Sequence, residues 1–328
     1  MRAVWYDRQG PANEVIVTGE LPTPEPGTGE VRVRLHAAGV NPSDTYRRRG
    51  AVPAEYPRVI PSSDGAGMID KVGSMVPDRW VGKRVWLYNG QRNGRWMGTA
   101  AEYICLNADL VTELPDHVSF AEGATLGIPG LTAHGCVFAG GPIQGKILLV
   151  TGGAGAVGHY AVQFAAWAGA TVIATVSSDE KAARASAGGA HHVVNYRTED
   201  VAARVRDITG GALVDHVVDV DFGGNLAAVL ASVREGGSIA YYASNGALDP
   251  AVPLRTVMAK NLTIRGFVLP TSAHAGRKRA QTDMARFIAT PGRILSVDGV
   301  FPLHQTAAAH LSVEQGGKTG TVVIEPHL

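Results

Sequence analysis

Cysteine is almost absent: Cys105 and Cys136 are the only two in 328 residues. Two thiols cannot build a disulfide framework, nor can they make a four-cysteine zinc site. No apolar run reaches the ~18 residues a membrane span requires, and the opening Met1-Arg2-Ala3-Val4-Trp5-Tyr6-Asp7 has no apolar signal core. Excess charge is missing too. Thirty Lys and Arg against 29 Asp and Glu leave +1, too little to recruit nucleic acid or an anionic membrane surface. No stripe of alternating basic and aromatic residues argues for nucleic acid, and no internal repeat or low-complexity segment is visible. These absences lead to the expectation of a soluble, cytoplasmic protein in a reducing compartment. What remains, 45% hydrophobic and 18% charged residues, suits an ordinary globular chain long enough for two domains.

The chain is organised around Val150-Thr151-Gly152-Gly153-Ala154-Gly155-Ala156-Val157-Gly158. Before it, Lys146 to Val150 is an apolar run that reads as a buried strand. After it, Val157, Ala161, Phe164, Ala165 and Ala168 recur at helical spacing until Gly169 closes the pattern. Gly153, Gly155 and Gly158 therefore form a G-x-G-x-x-G between a strand and a helix. Such a turn brings backbone close to a pyrophosphate and sets the phosphates on a helix N-terminus, where free N–H groups favour negative charge. In a chain with 41 glycines the motif alone is weak; its setting gives it weight.

Residues 1 to about 125 read as mostly β. Val31 to Ala37 alternates apolar and polar, the mark of a half-buried strand. Ala38 to Tyr46 reads as a loop opening a short helix, and Gly65 and Gly67 suit a bulged or closely approached strand. Residues 83–87 and 102–106 are further short strands, with a polar loop at 90–96 between them. From about 125 to 268 the pattern switches to strand–helix alternation. Strands are expected at 146–151, 171–176, 191–194, 213–219, 237–243 and 262–268, and helices at 156–168, 179–187, 198–209, 224–234 and 253–260. Six such strands imply an α/β fold, a doubly wound parallel sheet covered on both faces. One more helix at 272–290 and a short strand at 320–324 complete the chain.

Several stretches now point one way: Ala38-Gly39-Val40-Asn41-Pro42-Ser43-Asp44, Gly127-Ile128-Pro129-Gly130-Leu131-Thr132-Ala133, the glycine turn, Ser177-Ser178-Asp179-Glu180-Lys181 and Asn195-Tyr196-Arg197. In that order they resemble the medium-chain dehydrogenase/reductase superfamily, in its zinc-free quinone oxidoreductase (ζ-crystallin-like) branch, over essentially the whole chain. The resemblance implies a GroES-like, β-rich catalytic domain from 1–124 and 269–328. A Rossmann domain from 125–268 is inserted in it, with NADPH in the cleft. It also implies a homodimer joined through the last Rossmann strand, about 262–268.

Zinc-dependent relatives carry a ligand cysteine in the first of these stretches and a G-H-E motif at the start of the strand that carries Gly65 and Gly67. Those places resemble Asn41 and Ser63-Asp64 here, and a third ligand would fall near Pro129; none offers a thiolate or imidazole. No metal is expected, and the eleven histidines read as surface or satisfied core residues. A metal eases alcohol oxidation by helping to release the hydroxyl proton, so without one that reaction is not expected. A quinone or conjugated carbonyl spreads incoming charge over its own π system, so the protein has mainly to align two flat molecules.

An NAD-specific Rossmann domain ends its second strand with an acid for the ribose 2′-OH. That position is Val176 here, followed by Ser177 and Ser178, with Lys181 in the next helix. Ser177, Ser178, Lys181 and Tyr196 are expected at a 2′-phosphate, hence NADPH, although Lys181 can also be read as a solvated helix lysine. Gly153, Gly155, Ala156, Val157 and Gly158 are expected at the pyrophosphate. By resemblance, Asn41 and Pro42 face the nicotinamide and Thr132 lies under it. Val220, Ala243, Ser244, Phe267 and Leu269 follow C-terminal strand ends, and Gly317 and Lys318 reach the ribose or phosphates. Asn41, Asp44 and Tyr46 are the candidate catalytic residues: an amide donor to a carbonyl oxygen and two proton carriers. Asn41-Pro42 also reads as a turn, and Asp44 as a helix cap. Arg47, Arg48 and Arg49 read as a solvated basic face, and both cysteines as core residues.

The expected activity is NADPH:quinone oxidoreductase. Two alternatives stay open: an NADPH-dependent reductase of activated C=C bonds such as enones or 2-alkenals, and a non-catalytic NADPH-binding, crystallin-like protein. Replacing Lys181 with alanine (Lys181→Ala) should raise the Michaelis constant for NADPH about tenfold or more, since a hydrogen bond to a charged group is worth ~1.5–3 kcal/mol. NADH use should change little in the same steady-state assay, and equal losses with both would refute the assignment.

Overall fold

The computed structural model describes residues 1–328. The chain divides into two compact units, Met1–Pro129 with Gln281–Leu328, and Gly130–Ala280.

In the first unit β1 (Arg2–Trp5) and β2 (Val17–Glu20) pair antiparallel around α1 (Ala12–Val15). β3 (Glu30–Val40) runs into α2 (Pro42–Arg49); β4 (Asp64–Val72), β5 (Arg84–Leu87), β6 (Tyr103–Asn107), β7 (Val111–Glu113) and α3 (Phe120–Gly123) follow. The second unit runs α4 (Leu131–Val137), β8 (Ile147–Val150), α5 (Ala156–Trp167), β9 (Thr171–Val176), α6 (Asp179–Ala187), β10 (His192–Asn195), α7 (Val201–Ile208), β11 (Val214–Asp219), α8 (Phe222–Ser232), β12 (Val233–Tyr241), α9 (Leu254–Ala259) and β13 (Thr263–Gly266). Helix α10 (His274–Ala289) begins in the second unit and ends in the first. The chain closes with β14 (Val297–Pro302), α11 (Thr306–Glu314) and β15 (Thr321–Glu325).

The first unit is a seven-stranded sheet in the order β14-β15-β3-β4-β5-β7, with β6 also pairing with β3. Alternation in β3 sends Val31, Val33 and Leu35 into a core with Ile69, Val85, Leu87, Ile104 and Leu106. Gly67 lets β4 lie against a bulged β3, since a Cβ there would stand 2.0 Å from the Arg34 carbonyl oxygen. Strand β15 returns from the C-terminus to pair Val322 with Val40, at the base of α2.

All six strands of the second unit are parallel, in the order β10-β9-β8-β11-β12-β13. The order reverses between β8 and β11, the point where such sheets leave a crevice beyond their strand ends. Leu149, Ile173, Val194, Val217 and Ile239 fill its core, as expected of strands covered on both faces.

The expected elements recur with shifted ends. Strand β12 starts at Val233, not 237, and its pairing with β11 slips between Val214 and His216. It stops at Tyr241 because the Ala243 carbonyl takes the Phe222 N–H at the start of α8. The unit boundaries fall after Pro129 and Ala280, not after 124 and 268; the second lies inside α10, where a continuous helix carries no turn signal to mark it. Helices α4 and α11 and strand β14 were not expected. No helix is long and apolar enough to cross a membrane.

Candidate active site

Helix α2 starts where it does because Asn41 caps it in an extended conformation and Pro42 fills its first position, where a missing N–H costs nothing. The Asn41 backbone N–H donates to Asp44 Oδ2 at 2.9 Å. The other oxygen of Asp44 accepts from Arg92 Nη2 at 2.7 Å and Ser63 Oγ at 3.3 Å. Arg92 also donates to Ser43 Oγ and to both oxygens of Gln91, at 2.6–2.9 Å. The side chains of Arg92 and Asp44 are 5% and 1% exposed. Asp44 is therefore a buried, paired carboxylate with its oxygens occupied, and it does not stand open as a proton carrier. The loop at 90–96 is polar, yet it sends Arg92 inward.

Asn41 is itself buried, and its amide is already engaged: Nδ2 donates to Asp64 Oδ2 at 2.7 Å. The same oxygen accepts the Ile128 N–H at 2.8 Å, and Asp64 Oδ1 has no partner. Burial pushes the Asp64 carboxyl up to about 8; the two donated hydrogen bonds oppose that rise and the charge of Asp44 adds to it. The sequence offered Asp64 only as a place where a zinc ligand is missing. A sharper signal was available, an acidic residue at the head of a strand that reads as buried, followed by the closely packed Gly65 and Gly67.

Tyr46 lies 39% exposed. It sits two residues along α2 from Asp44, a spacing that sends side chains to different faces, and the structure does not join it to the Asn41 cluster. Arg48 is fully buried, not solvated: it donates to the Gly10 carbonyl and pairs with Glu314 of α11. His310, also on α11, is fully buried with neither ring nitrogen partnered, and burial pushes it down to about 4. It is not the satisfied core histidine expected. His159 is buried and likewise pushed down to about 4.

In the second unit the glycine turn has the expected form. Gly152 adopts φ +63°, Gly153 donates to the Thr175 carbonyl at 2.9 Å, and Gly155 caps α5. A Cβ on Gly158 would lie 2.1 Å from the Gly152 carbonyl oxygen. The first helical turn, Ala156-Val157-Gly158, thus packs directly under the loop, and its N–H groups head a twelve-residue helix. Beside it, Asp219 at the end of β11 accepts from Thr151 and Asn225 Nδ2, and Thr151 Oγ1 accepts the Val220 N–H at 2.9 Å. That brace was missed because it joins residues 68 apart.

At the end of β9 the buried Val176 stands where an acid would. Ser178 caps α6, accepting from the Lys181 N–H, and Lys181 Nζ donates to Ser177 Oγ at 3.2 Å. Asp179 and Glu180 point to solvent, and Tyr196 is half exposed. Hydroxyls and a cation thus converge at a helix start, a donor set that fits a phosphate monoester.

The remaining expected residues have their own local partners. Ser244 Oγ accepts from the Gly223 N–H and donates to the Ala247 carbonyl, so with Ala243 it fixes the start of α8. Thr132 is buried on α4. The ring of Phe267 packs on Gly135, and with Leu269 it lines a cavity of about 170 Å³. Gly317 adopts φ +75°, and Lys318 pairs with Asp298 at 3.3 Å within the first unit.

No group of three His, Cys, Asp or Glu side chains comes together to hold a metal. The donors at the zinc-ligand places are an amide turned toward a carboxylate and a hydroxyl turned toward another, a set that does not suit zinc. Cys105 and Cys136 are buried free thiols, pushed up to about 12 by burial.

Comparison with known proteins places the zinc-binding dehydrogenase family over residues 156–290 and the alcohol dehydrogenase GroES-like domain over residues 27–116. A 2-haloacrylate reductase from Burkholderia sp is 33% identical over 99% of both chains. Quinone oxidoreductase from Mus musculus is 30% identical over 99% of this chain and 97% of its own. The structure of Escherichia coli quinone oxidoreductase complexed with NADPH superposes with a TM-score of 0.87 at 27% identity, covering 99% of this chain and all of that one.

Removing one partner of the Arg92–Asp44 pair leaves a buried charge uncompensated, which costs ~3–5 kcal/mol. Arg92→Gln should destabilise the protein by about that much in denaturant unfolding. Adding Asp44→Asn to it should recover most of the loss; additive losses would show that the two do not act as a pair.

Proposed function

The chain belongs to the medium-chain dehydrogenase/reductase family, in its quinone oxidoreductase branch, and on that footing we propose that it is an NADPH-dependent quinone reductase working without zinc. The observation that carries the cofactor is the pairing of Lys181 with Ser177 beside Val176, where an acid would repel a 2′-phosphate. Ser178 and Tyr196 complete that subsite, and the N–H groups of Gly155 to Gly158 hold the pyrophosphate. When bound, NADPH supplies the reducing equivalents.

Asn41 is the residue that meets the acceptor. Its backbone is held by Asp44 and one N–H of its amide by Asp64, which leaves the second amide N–H for a carbonyl oxygen. Asp44 and Arg92 serve as its scaffold. Neither a metal donor set nor a free acid stands beside Asn41. That suits an acceptor whose own π system takes the charge and whose reduced form collects protons from water. A relative named for 2-haloacrylate favours a second reading, reduction of an activated C=C bond, which the same residues would serve.

We also propose a homodimer formed through β13 and a cytoplasmic location. Strand β13 is the free edge of its sheet, and Leu254, Met258 and Val268 around it are 67%, 74% and 61% exposed. The buried, unpaired thiols agree with a reducing compartment.

NADPH oxidation should proceed with a panel of quinones and be unchanged by a chelator. Loss of turnover on chelation, or binding of NADPH with no acceptor reduced, would overturn the reading. Sedimentation velocity should give twice the 34.3 kDa chain mass; a monomer would remove the dimer.

A further inference from the structure

We propose that the cavity at the end of β13 is a binding site for a small aromatic carboxylate. None of its lining residues belongs to the glycine turn or to the Ser177–Lys181 group. Its charge is visible in the sequence. From 250 to 282 the chain carries Arg255, Lys260, Arg265, Arg277, Lys278 and Arg279 and not one Asp or Glu, in a protein whose total is +1. Three of those six cations, Arg265, Arg277 and Arg279, line the cavity.

Strand alternation brings the first of them there. Ile264 packs against the core that also receives Val257 of α9, so Arg265, one residue on, turns to the other face of the sheet, beside Leu131 of α4. Arg277 donates Nη1 to the Ser272 carbonyl, which ties its guanidinium to the turn that precedes α10. The floor is apolar. Leu131 and Phe138 of α4 meet Phe267 and Leu269 there, and all but Phe138 are buried. Two helical glycines shape the space. At Gly135 a Cβ would stand 2.2 Å from the Phe267 ring, so only glycine lets that ring lie against the α4 backbone. At Gly276, inside α10, a Cβ would meet nothing within 4 Å. Glycine weakens a helix, and no packing within the fold calls for it at 276; its effect is to keep one wall of the cavity low.

Volume and chemistry together set the ligand. The cavity measures about 170 Å³, and a cavity of ~150 Å³ holds one benzene ring. A single ring therefore covers the floor, against Phe138 and Phe267, whose faces and edges favour another arene. The arginine forks at the mouth match a carboxylate, two N–H groups to two oxygens. Cations clustered over a low-dielectric floor attract an anion more strongly than the same cations spread over the surface. A polyanion would be held by the rim alone and would leave the floor uncovered.

The test is isothermal titration calorimetry with benzoate on the full-length protein, NADPH present, at about pH 7 and low salt. Benzoate should bind at about 1 mM or tighter. Benzamide, which keeps the ring and loses the charge, should bind at least about tenfold more weakly. Acetate, which keeps the charge and loses the ring, should give no measurable heat. Arg265→Gln should weaken benzoate about tenfold. Gly276→Leu should remove binding by filling the cavity, with an unfolding midpoint no lower than that of the wild type, since leucine is the better helix former. The inference is overturned if benzoate fails to bind below about 10 mM, if acetate, benzamide or inorganic phosphate binds as tightly as benzoate, or if either variant keeps the wild-type affinity. It is overturned too if binding appears only where sedimentation velocity shows dissociated chains, because a second copy of the chain would then be what covers this face.

Discussion

One buried ion pair governs the first unit. Asp44 and Arg92 neutralise each other out of water, and what remains of their hydrogen-bonding capacity goes to Ser43, Ser63, Gln91 and the backbone of Asn41. An unpaired charge at that depth would be prohibitive, so helix α2, the 90–96 loop and the entry to β4 take up one mutual arrangement. The Asn41 amide inherits its position from that arrangement. A side chain held in this way is set before any partner arrives.

The second unit uses a different device. Its binding features are made of backbone: a turn that Gly153 and Gly158 alone can close, and a helix start with unsatisfied N–H groups. Side chains join one another beside it, at Ser177 and Lys181, or act as braces, at Thr151 and Asp219. Division of labour follows from the chemistry. Many weak dipoles suit a phosphate, whereas a single fixed amide suits one directed hydrogen bond.

How much of this was legible in the sequence depended on range. Strand, glycine turn and helix are adjacent in the chain, so the second unit could be laid out within a few residues, Thr171–Val176 and Asp179–Ala187 among its elements. The grouping of Ser177 with Lys181 was legible for the same reason, since Val176, Ser177 and Lys181 span one strand end and one helical turn. The first unit's charges were not. Asp44 meets Arg92 48 residues away, and Arg48 meets Glu314 266 away. No local pattern distinguishes an arginine bound for the interior from its solvated neighbours, so Arg47-Arg48-Arg49 reads as one face. Asp64 was passed over because the absent metal was the question asked of that position, and its burial depends on β3, Gly127 and Ile128 arriving from elsewhere.

The pairing of Arg48 with Glu314 has a consequence for how the protein is made. A nascent chain leaves the ribosome from its N-terminus, so α2 is complete while α11 and β15 are still unmade, and all of Gly130–Ala280 emerges between them. Until α11 and β15 are released, the Arg48 guanidinium has no counter-charge, and β3 lacks the neighbour that pairs with Val40. The inserted unit can finish first; the one that surrounds it in sequence closes last. The interval of greatest exposure to proteases and chaperones therefore belongs to the half that carries Asn41.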